Sequence, residues 1–392
     1  MSAPSPRPAR GIASAASASR SITLFDLQRQ RARLAAAVRS RIDRVLEHGQ
    51  FILGPEVEEL ESRLAAYVGA RHAIGVSSGR DALAMALMAV GVGPGDAVFV
   101  PAFTFAATAG AVAAVGAEPV FVEVDADTFN MPAAALERAI VETRGRTALR
   151  PRAVMPVDLY GLPADYAAIN AVAKTHGISV IADAAQSFGA SHHGRRVGTL
   201  ATISATSFYP TKPLGAYGDG GAVFTDDDGL AEAVRQIRSH GRQGSGDTAL
   251  RLGMTGRLDT IQAAILLVKL DGFEAELQHR RRIAAAYSAA LDSHVLVPRT
   301  FEAAESAWAL YTIRVANREA VRARLEAAGV GTGIFYRVPL HRHPAFAHGR
   351  SQLESLSVSE RLAEEVLSLP LHPDLTDWEV EVVIDAVQSA VH

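Results

Sequence analysis

Short apolar runs at 73–77, 97–100, 119–124, 153–157, 178–182, 203–208 and 221–225 follow one another along the first part of the chain. Ala-rich helical stretches separate most of them, notably 81–90, 105–114, 132–141 and 164–176. Strands that return through a helix pair side by side in the same direction, and the helices cover both sheet faces. The pattern predicts an α/β fold around a mostly parallel seven-stranded sheet. Two helices precede it, at 28–48 and about 56–68. The first carries Leu27, Leu34, Val38, Ile42 and Val45 on one face, and the break at 51–55 ends it. Helices at 228–240 and 257–290 follow, the second long enough to cross between two lobes. An alternating stretch at 308–315, a helix at 318–328, a strand near 330–336 and a helix at 357–367 predict a small α+β C-terminal domain. The expected units are a disordered tail at 1–20, rich in Ala, Ser, Pro and Arg, a large domain at 21–270 and the small domain at 271–392.

Lys and Arg total 39 against 42 Asp and Glu, a formal charge of -3. That balance gives no support to nucleic acid or an anionic membrane as partner. No apolar run approaches membrane-spanning length. There is no cysteine, which removes thiolate catalysis and cysteine metal sites and fits a reducing cytoplasm. No metal is expected.

Chemistry gathers at the ends of the apolar runs. Lys212 stands between Pro210 and Pro213, just after one of them, on a restricted backbone. Restriction suits an amine that must be aimed at one carbonyl carbon and must spend time unprotonated. Asp183 closes the run Ile178-Ser-Val-Ile-Ala182, where parallel sheets bind ligands, although Asp there is also an ordinary helix cap. Gln186 follows three residues on. Ser77-Ser-Gly-Arg-Asp81 joins a run to a helix, so the free amides around Gly79, Arg80 and Asp81 can take a phosphate, with Ser207 adding a hydroxyl. Phe105 ends Pro101-Ala-Phe-Thr-Phe105 and can stack on a flat ring. Pyridoxal 5'-phosphate needs all of these together: a lysine, an acid for the ring nitrogen, a phosphate turn and a stacking face.

The chain resembles the DegT/DnrJ/EryC1/StrS family of sugar aminotransferases from about Phe25 onward. The resemblance is carried by Ile52-Leu-Gly-Pro-Glu56, Val100-Pro-Ala-Phe-Thr-Phe105, Asp183-Ala-Ala-Gln-Ser187, Ser207-Phe-Tyr-Pro-Thr-Lys212, Gly218-Asp-Gly-Gly221 and Arg257-Leu-Asp-Thr-Ile-Gln-Ala-Ala264. It implies the pyridoxal-phosphate transferase fold of type I and an aminotransferase acting on a nucleotide-linked keto sugar with L-glutamate. It also implies a homodimer with shared active sites. Lys212 would carry the cofactor, Asp183 would pair with the ring nitrogen and Gln186 with the ring hydroxyl. Gly79, Arg80, Asp81 and Ser207 would cradle the phosphate, and Phe105 would stack. Thr255 and Arg257 would approach the partner subunit's phosphate. Tyr209, Tyr336, Arg337 and His341 would face the substrate. Within the family, Lys-Pro-Leu-Gly and Arg-Leu-Asp-Thr-x-Gln-Ala-Ala look most similar to enzymes acting on a UDP-linked 3-keto hexuronic acid, for whose carboxylate Arg257 and Arg337 are candidates, with Arg80 ranked behind them because it lies nearest the phosphate.

Departures from the family pattern fall at Arg80, where relatives usually have Thr, at Thr255, where they often have Asn, and at Phe335-Tyr336-Arg337, where His-Tyr-Pro is common. The stretch 242–252 also lacks the usual aromatic and histidine pattern. A sugar dehydratase or deoxygenase on the same fold would have replaced the lysine, commonly by histidine, and a regulatory scaffold would leave the cofactor set unexplained. A non-nucleotide cyclic ketone remains an alternative substrate.

Overall fold

The computed structural model describes residues 21–244, 246–346 and 355–392, so the tail expected at 1–20 lies outside the described residues. Seven strands form the main sheet: β1 (His72–Val76), β2 (Asp96–Pro101), β3 (Glu118–Val122), β4 (Arg150–Val154), β5 (Ser179–Asp183), β6 (Ile203–Ser207) and β7 (Gly221–Thr225). Their order is β1-β7-β6-β5-β4-β2-β3. Pairs among β2, β3, β4, β5 and β6 are parallel, while β7 runs antiparallel to both β6 and β1. The reversal has a local cause. Residues 208–220, which carry Lys212, join β6 to β7 without a helix, and a parallel return needs a crossover.

Neighbouring side chains on one strand point to opposite faces. Phe99, Val180 and Phe224 accordingly pack into one core with Leu60 and Leu266, while Val98, Ile181 and Val223 pack into another with Ile74 and Leu83. Helices α1 (Leu27–His48) and α2 (Pro55–Val68) precede the sheet. Between and after its strands lie α3 (Gly79–Ala89), α4 (Ala106–Ala114), α5 (Ala133–Arg146), α6 (Tyr166–His176) and α7 (Asp228–Ile237).

Helix α8 (Thr260–Leu291) serves two cores. Leu266, Leu270, Phe273 and Leu277 belong to the first sheet core, whereas Ile283, Ala284, Tyr287 and Leu291 belong to that of a smaller lobe. The expected domain boundary at 270 falls inside this helix. The smaller lobe contains β8 (Tyr311–Arg314), α9 (Arg318–Ala327), α10 (Ser357–Glu365), β9 (Val366–Leu369) and α11 (Asp377–Val391), with β8 and β9 antiparallel.

Several expectations need correction here. Ile22, placed in the large domain by the sequence, packs in the small-lobe core and bridges Val330. The strand expected near 330–336 reduces to isolated bridges at Val330 and Gly333. A Cβ at Gly333 would lie 2.6 Å from the Phe335 ring and 2.7 Å from Leu24, so the chain is crowded where a ladder would continue. The helix expected at 357–367 stops at Glu365, because Val366–Leu369 is buried on both faces as β9. Helix α11 went unread, although Thr376 and Glu379 form a capping box at its start. No helix among the described residues is long and apolar enough to cross a membrane, and no group of acids and histidines among them could hold a metal ion.

Candidate active site

The loops leaving β1, β2, β5 and β6 converge on one cavity of about 400 Å3 at the carboxyl ends of the strands. A larger cleft of about 710 Å3 opens in the small lobe beside Asp292 and Arg314, and none of the residues singled out above lines it.

The turn after β1 is built for an anion. The Ser77 amide donates to the Gly256 carbonyl at 3.0 Å. Ser78 caps α3, its hydroxyl accepting the Asp81 amide at 3.1 Å. The amides of Gly79 and Arg80 precede Ala82, the first amide to donate within the helix, which leaves them for a ligand at its positive end. Gly79 presses against the end of β6. A Cβ on it would lie 2.6 Å from the Ser207 Cβ, so only glycine lets turn and strand meet. Arg80 also lines the cavity, and its guanidinium lies 3.5 Å from the Gly110 carbonyl and 3.8 Å from Asp81.

Asp183, 4% exposed, lines the same cavity from the end of β5. No helix starts after it, which removes the cap reading. Its Oδ2 accepts the Thr108 hydroxyl at 2.8 Å and its Oδ1 the Ala185 amide at 3.3 Å. Burial raises the proton affinity of this carboxyl, while Thr108, the Ala185 amide and Lys212 oppose the rise. Lys212 faces it from the loop after β6. Burial lowers the basicity of the lysine amine and Asp183 pulls the other way, so each group moderates the other.

Gln186 accepts the Tyr160 amide at 2.7 Å through Oε1. Its Nε2 donates to the Tyr336 hydroxyl at 3.3 Å. The rings of Phe105 and Tyr336 are 5.9 Å apart, and Phe105 is 56% exposed, which leaves its face open toward the cavity. Tyr209 lines the mouth.

The structure thus gathers Gly79, Arg80, Phe105, Asp183, Gln186, Ser207, Tyr209, Lys212 and Tyr336 around one space. It does not bring the other expected residues there. The Asp81 carboxylate is taken by the Ser77 hydroxyl at 2.6 Å and its amide by Ser78. Arg337 pairs with Glu319 at 2.8 Å outside the cavity. His341 is buried against Glu360 at 3.1 Å. Thr255 sits beside His240 at 3.3 Å, and Arg257 bridges Val76 behind the phosphate turn. Sequence reading missed Thr108, whose one available signal was a lone hydroxyl in the Ala-rich helix after Phe105.

Pyridoxal phosphate fits this set: free amides and Ser207 at one end, a buried acid and a low-basicity lysine in the middle, and an aromatic face at the rim. The comparisons agree. A 48% identical relative, matched over 94% of this chain and 100% of its own length, is the UDP-2-acetamido-2-deoxy-3-oxo-D-glucuronate aminotransferase of Pseudomonas aeruginosa. A solved DegT DnrJ EryC1 StrS aminotransferase from Brucella abortus superposes with a TM-score of 0.92 at 46% identity, covering 94% of this chain and 99% of that one. A Bacillus subtilis protein solved with bound PMP gives 0.86 at 28% identity, covering 95% and 85%. Residues 33–388 match the model of the DegT/DnrJ/EryC1/StrS aminotransferase family, and with this fold and site the chain belongs to that family.

Proposed function

We propose that this aminotransferase converts the ketone of a nucleotide-linked sugar into an amine, taking the amino group from L-glutamate, and that the sugar is a UDP-linked 3-keto hexuronic acid. The carrying observation is that Lys212, Asp183 and Gln186 face one cavity closed at its end by the glycine turn and Ser207. The 48% identical glucuronate relative supports the choice of sugar.

Bound pyridoxal phosphate supplies the carbonyl that takes up the amino group and a ring that draws electron density from the reacting carbon. The protein does the rest. The amides of Gly79 and Arg80 and the Ser207 hydroxyl hold the phosphate. The Asp183 carboxylate keeps a proton on the ring nitrogen. Gln186 Nε2, which donates to the Tyr336 hydroxyl, would serve the ring hydroxyl, and Phe105 would offer its face. Lys212 Nζ, made less basic by burial, takes the Cα proton of the donor and later returns one to the sugar carbon being aminated.

A homodimer completes the reading. Leu250 and Leu252 are 58% and 85% exposed, in the chain segment that leads to Thr255 and Arg257, and Phe51, Ile52 and Leu53 form a second exposed apolar run. Burial of these groups against a second copy would bring Thr255 or Arg257 to the other subunit's phosphate. Nucleotide sugar and glutamate are metabolites of the cytoplasm in this scheme, where the enzyme would act.

The test is a panel of UDP- and dTDP-linked keto sugars with 15N-labelled L-glutamate, read by mass spectrometry. A labelled amine from the keto uronic acid is expected. No amine from any member of the panel would end the proposal.

A further inference from the structure

One carboxylate just behind the cavity does not line it. Asp158 follows β4 and is fully buried, at 0% exposure. A charge in such a place needs partners. It has three, two from the stretch 164–166 and one from the turn after β5. Oδ1 accepts the Ala164 amide at 2.9 Å and the Tyr166 hydroxyl, from α6, at 2.8 Å. Oδ2 accepts the Ser187 hydroxyl at 2.5 Å. All three partners donate, which is the arrangement an ionised acid requires. The backbone adds two ties between the same strand ends, from the Asp158 amide to the Asp183 carbonyl at 3.1 Å and from the Asp183 amide to the Pro156 carbonyl at 2.9 Å.

The position of Gln186 traces back to this hub. Its neighbour in the chain, Ser187, is bonded to Asp158. The amide that fixes its Oε1 belongs to Tyr160, two residues beyond Asp158. With Oε1 taken, Nε2 turns toward Tyr336 and the cavity. We propose that Asp158 is a positioning residue: its carboxylate locks the turn 183–187 to the loop 159–166 and thereby fixes the direction in which Gln186 and the Tyr336 hydroxyl meet the cofactor. The inference rests on reading Gln186 as a cofactor contact.

The protonation of this carboxyl is set by the same surroundings. Burial pushes the Asp158 acid up to about 7, Ser187, the Ala164 amide and Tyr166 oppose the rise, and Asp183 adds to it. The titratable groups facing it are Tyr166 from α6 and Asp183 from β5. As pH falls through about 7 the acid gains a proton, and one oxygen can no longer accept as before.

The experiment uses enzyme reconstituted with pyridoxal phosphate. Three readouts are followed: the visible absorbance titration of the cofactor, its dissociation constant and the melting temperature. Asp158→Ala and Ser187→Ala should shift the titration in the same direction as Gln186→Ala and weaken cofactor binding on the order of tenfold. Adding Asp158→Ala to Gln186→Ala should change the spectrum no further, as expected of groups acting through one another. Asp158→Asn should restore most of the loss, because its oxygen still accepts from Ala164 and Tyr166 while its amide donates to the rotatable Ser187 hydroxyl. A lowered melting temperature with unchanged spectrum and binding would overturn the inference and leave Asp158 as a stitch in the fold. If Asp158→Ala does not fold, Ser187→Ala decides by the same readouts. Wild-type protein that takes up no pyridoxal phosphate would instead sink the cofactor reading itself.

Discussion

The Thr108 hydroxyl donates to Asp183 Oδ2 at 2.8 Å, inside a site where burial already raises the proton affinity of that acid. The bond favours the ionised carboxylate, which is the form that can hold a proton on a ring nitrogen. Thr108→Val removes the donor and keeps the shape. Asp183 ionises above its raised pKa and is neutral below it, so loss of the donor should move the acidic limb of the rate profile to higher pH. Turnover at neutral pH should fall about tenfold. An unshifted limb in kcat measured from pH 5 to 9 would show that Thr108 does not tune Asp183.

Asp183→Asn goes further. The amide keeps the fold and the Thr108 contact but cannot carry the charge. Electrostatic support of this kind is typically worth ~3 kcal/mol, about a hundredfold in turnover. Steady-state kinetics with unchanged kcat would assign Asp183 a purely structural part.

Much of this site was legible because parallel strands deliver their end residues to one edge. Lys212, Asp183, Gly79 and Phe105 each end a separate apolar run, and the alternation of runs and helices places those ends together. What stayed hidden depends on contacts between distant segments. Asp158 and Thr108 occupy unremarkable positions in a strand end and an Ala-rich helix, and only folding sets them beside Ser187 and Asp183. Arg337 is a candidate substrate contact in the sequence because a sugar carboxylate needs a cation and the resemblance puts Phe335-Tyr336-Arg337 at the substrate wall. The two side chains part company in space, Tyr336 into the cavity and Arg337 to Glu319. The helix expected at 357–367 overruns into Val366 and Leu367 because a strand buried on both faces has no period of its own.

Lys212 should be the lysine that borohydride labels. Its amine is made less basic by burial, which favours the unprotonated form that attacks a carbonyl. Purified enzyme should be yellow, lose that colour on reduction and retain a phosphopyridoxyl group on the peptide containing Lys212. Peptide mass spectrometry that finds the group on Lys269, a buried lysine whose pKa burial brings to about 8, would contradict the assignment.

Gly79→Ala tests the closure of the phosphate turn. The new Cβ would sit 2.6 Å from the Ser207 Cβ and 3.1 Å from its Cα, so backbone would have to move. Cofactor affinity should fall by about tenfold or more, with a modest change in melting temperature, since the strain falls where the phosphate binds. Ser207→Gly in the same chain should relieve the clash while removing one hydroxyl, and so recover part of the affinity. Fluorescence titration of apoenzyme with pyridoxal phosphate measures both. Wild-type affinity in Gly79→Ala would mean that the phosphate does not lie at this turn.

Of the arginines considered for a sugar carboxylate, Arg80 lines the cavity and Arg337 does not. Arg337 is paired with Glu319 at 2.8 Å, both side chains about half exposed, and it does not line the cavity. Arg80 lines it, and the acid nearest its guanidinium, Asp81, is 3.8 Å away and already engaged by Ser77. On the proposed reading the Arg80 backbone amide serves the phosphate, and its side chain, 3.5 Å from the Gly110 carbonyl, is the part left to meet the substrate. A charge-assisted contact to a carboxylate contributes ~1.5–3 kcal/mol, so its loss should cost about tenfold or more for the acidic sugar alone. The measurement is kcat/KM for a UDP-linked keto uronic acid against its neutral hexose counterpart. Arg337→Ala should leave the ratio of the two within about twofold, because an exposed pair such as Arg337 and Glu319 contributes little even to the fold. Arg80→Ala should lower the ratio about tenfold while the neutral sugar reacts nearly as before. If Arg80→Ala slows both sugars equally and weakens pyridoxal phosphate binding, the guanidinium belongs to the cofactor phosphate. Recognition of the sugar acid would then fall to Arg257 of the partner subunit, and a loss of preference in Arg257→Ala dimers would establish it.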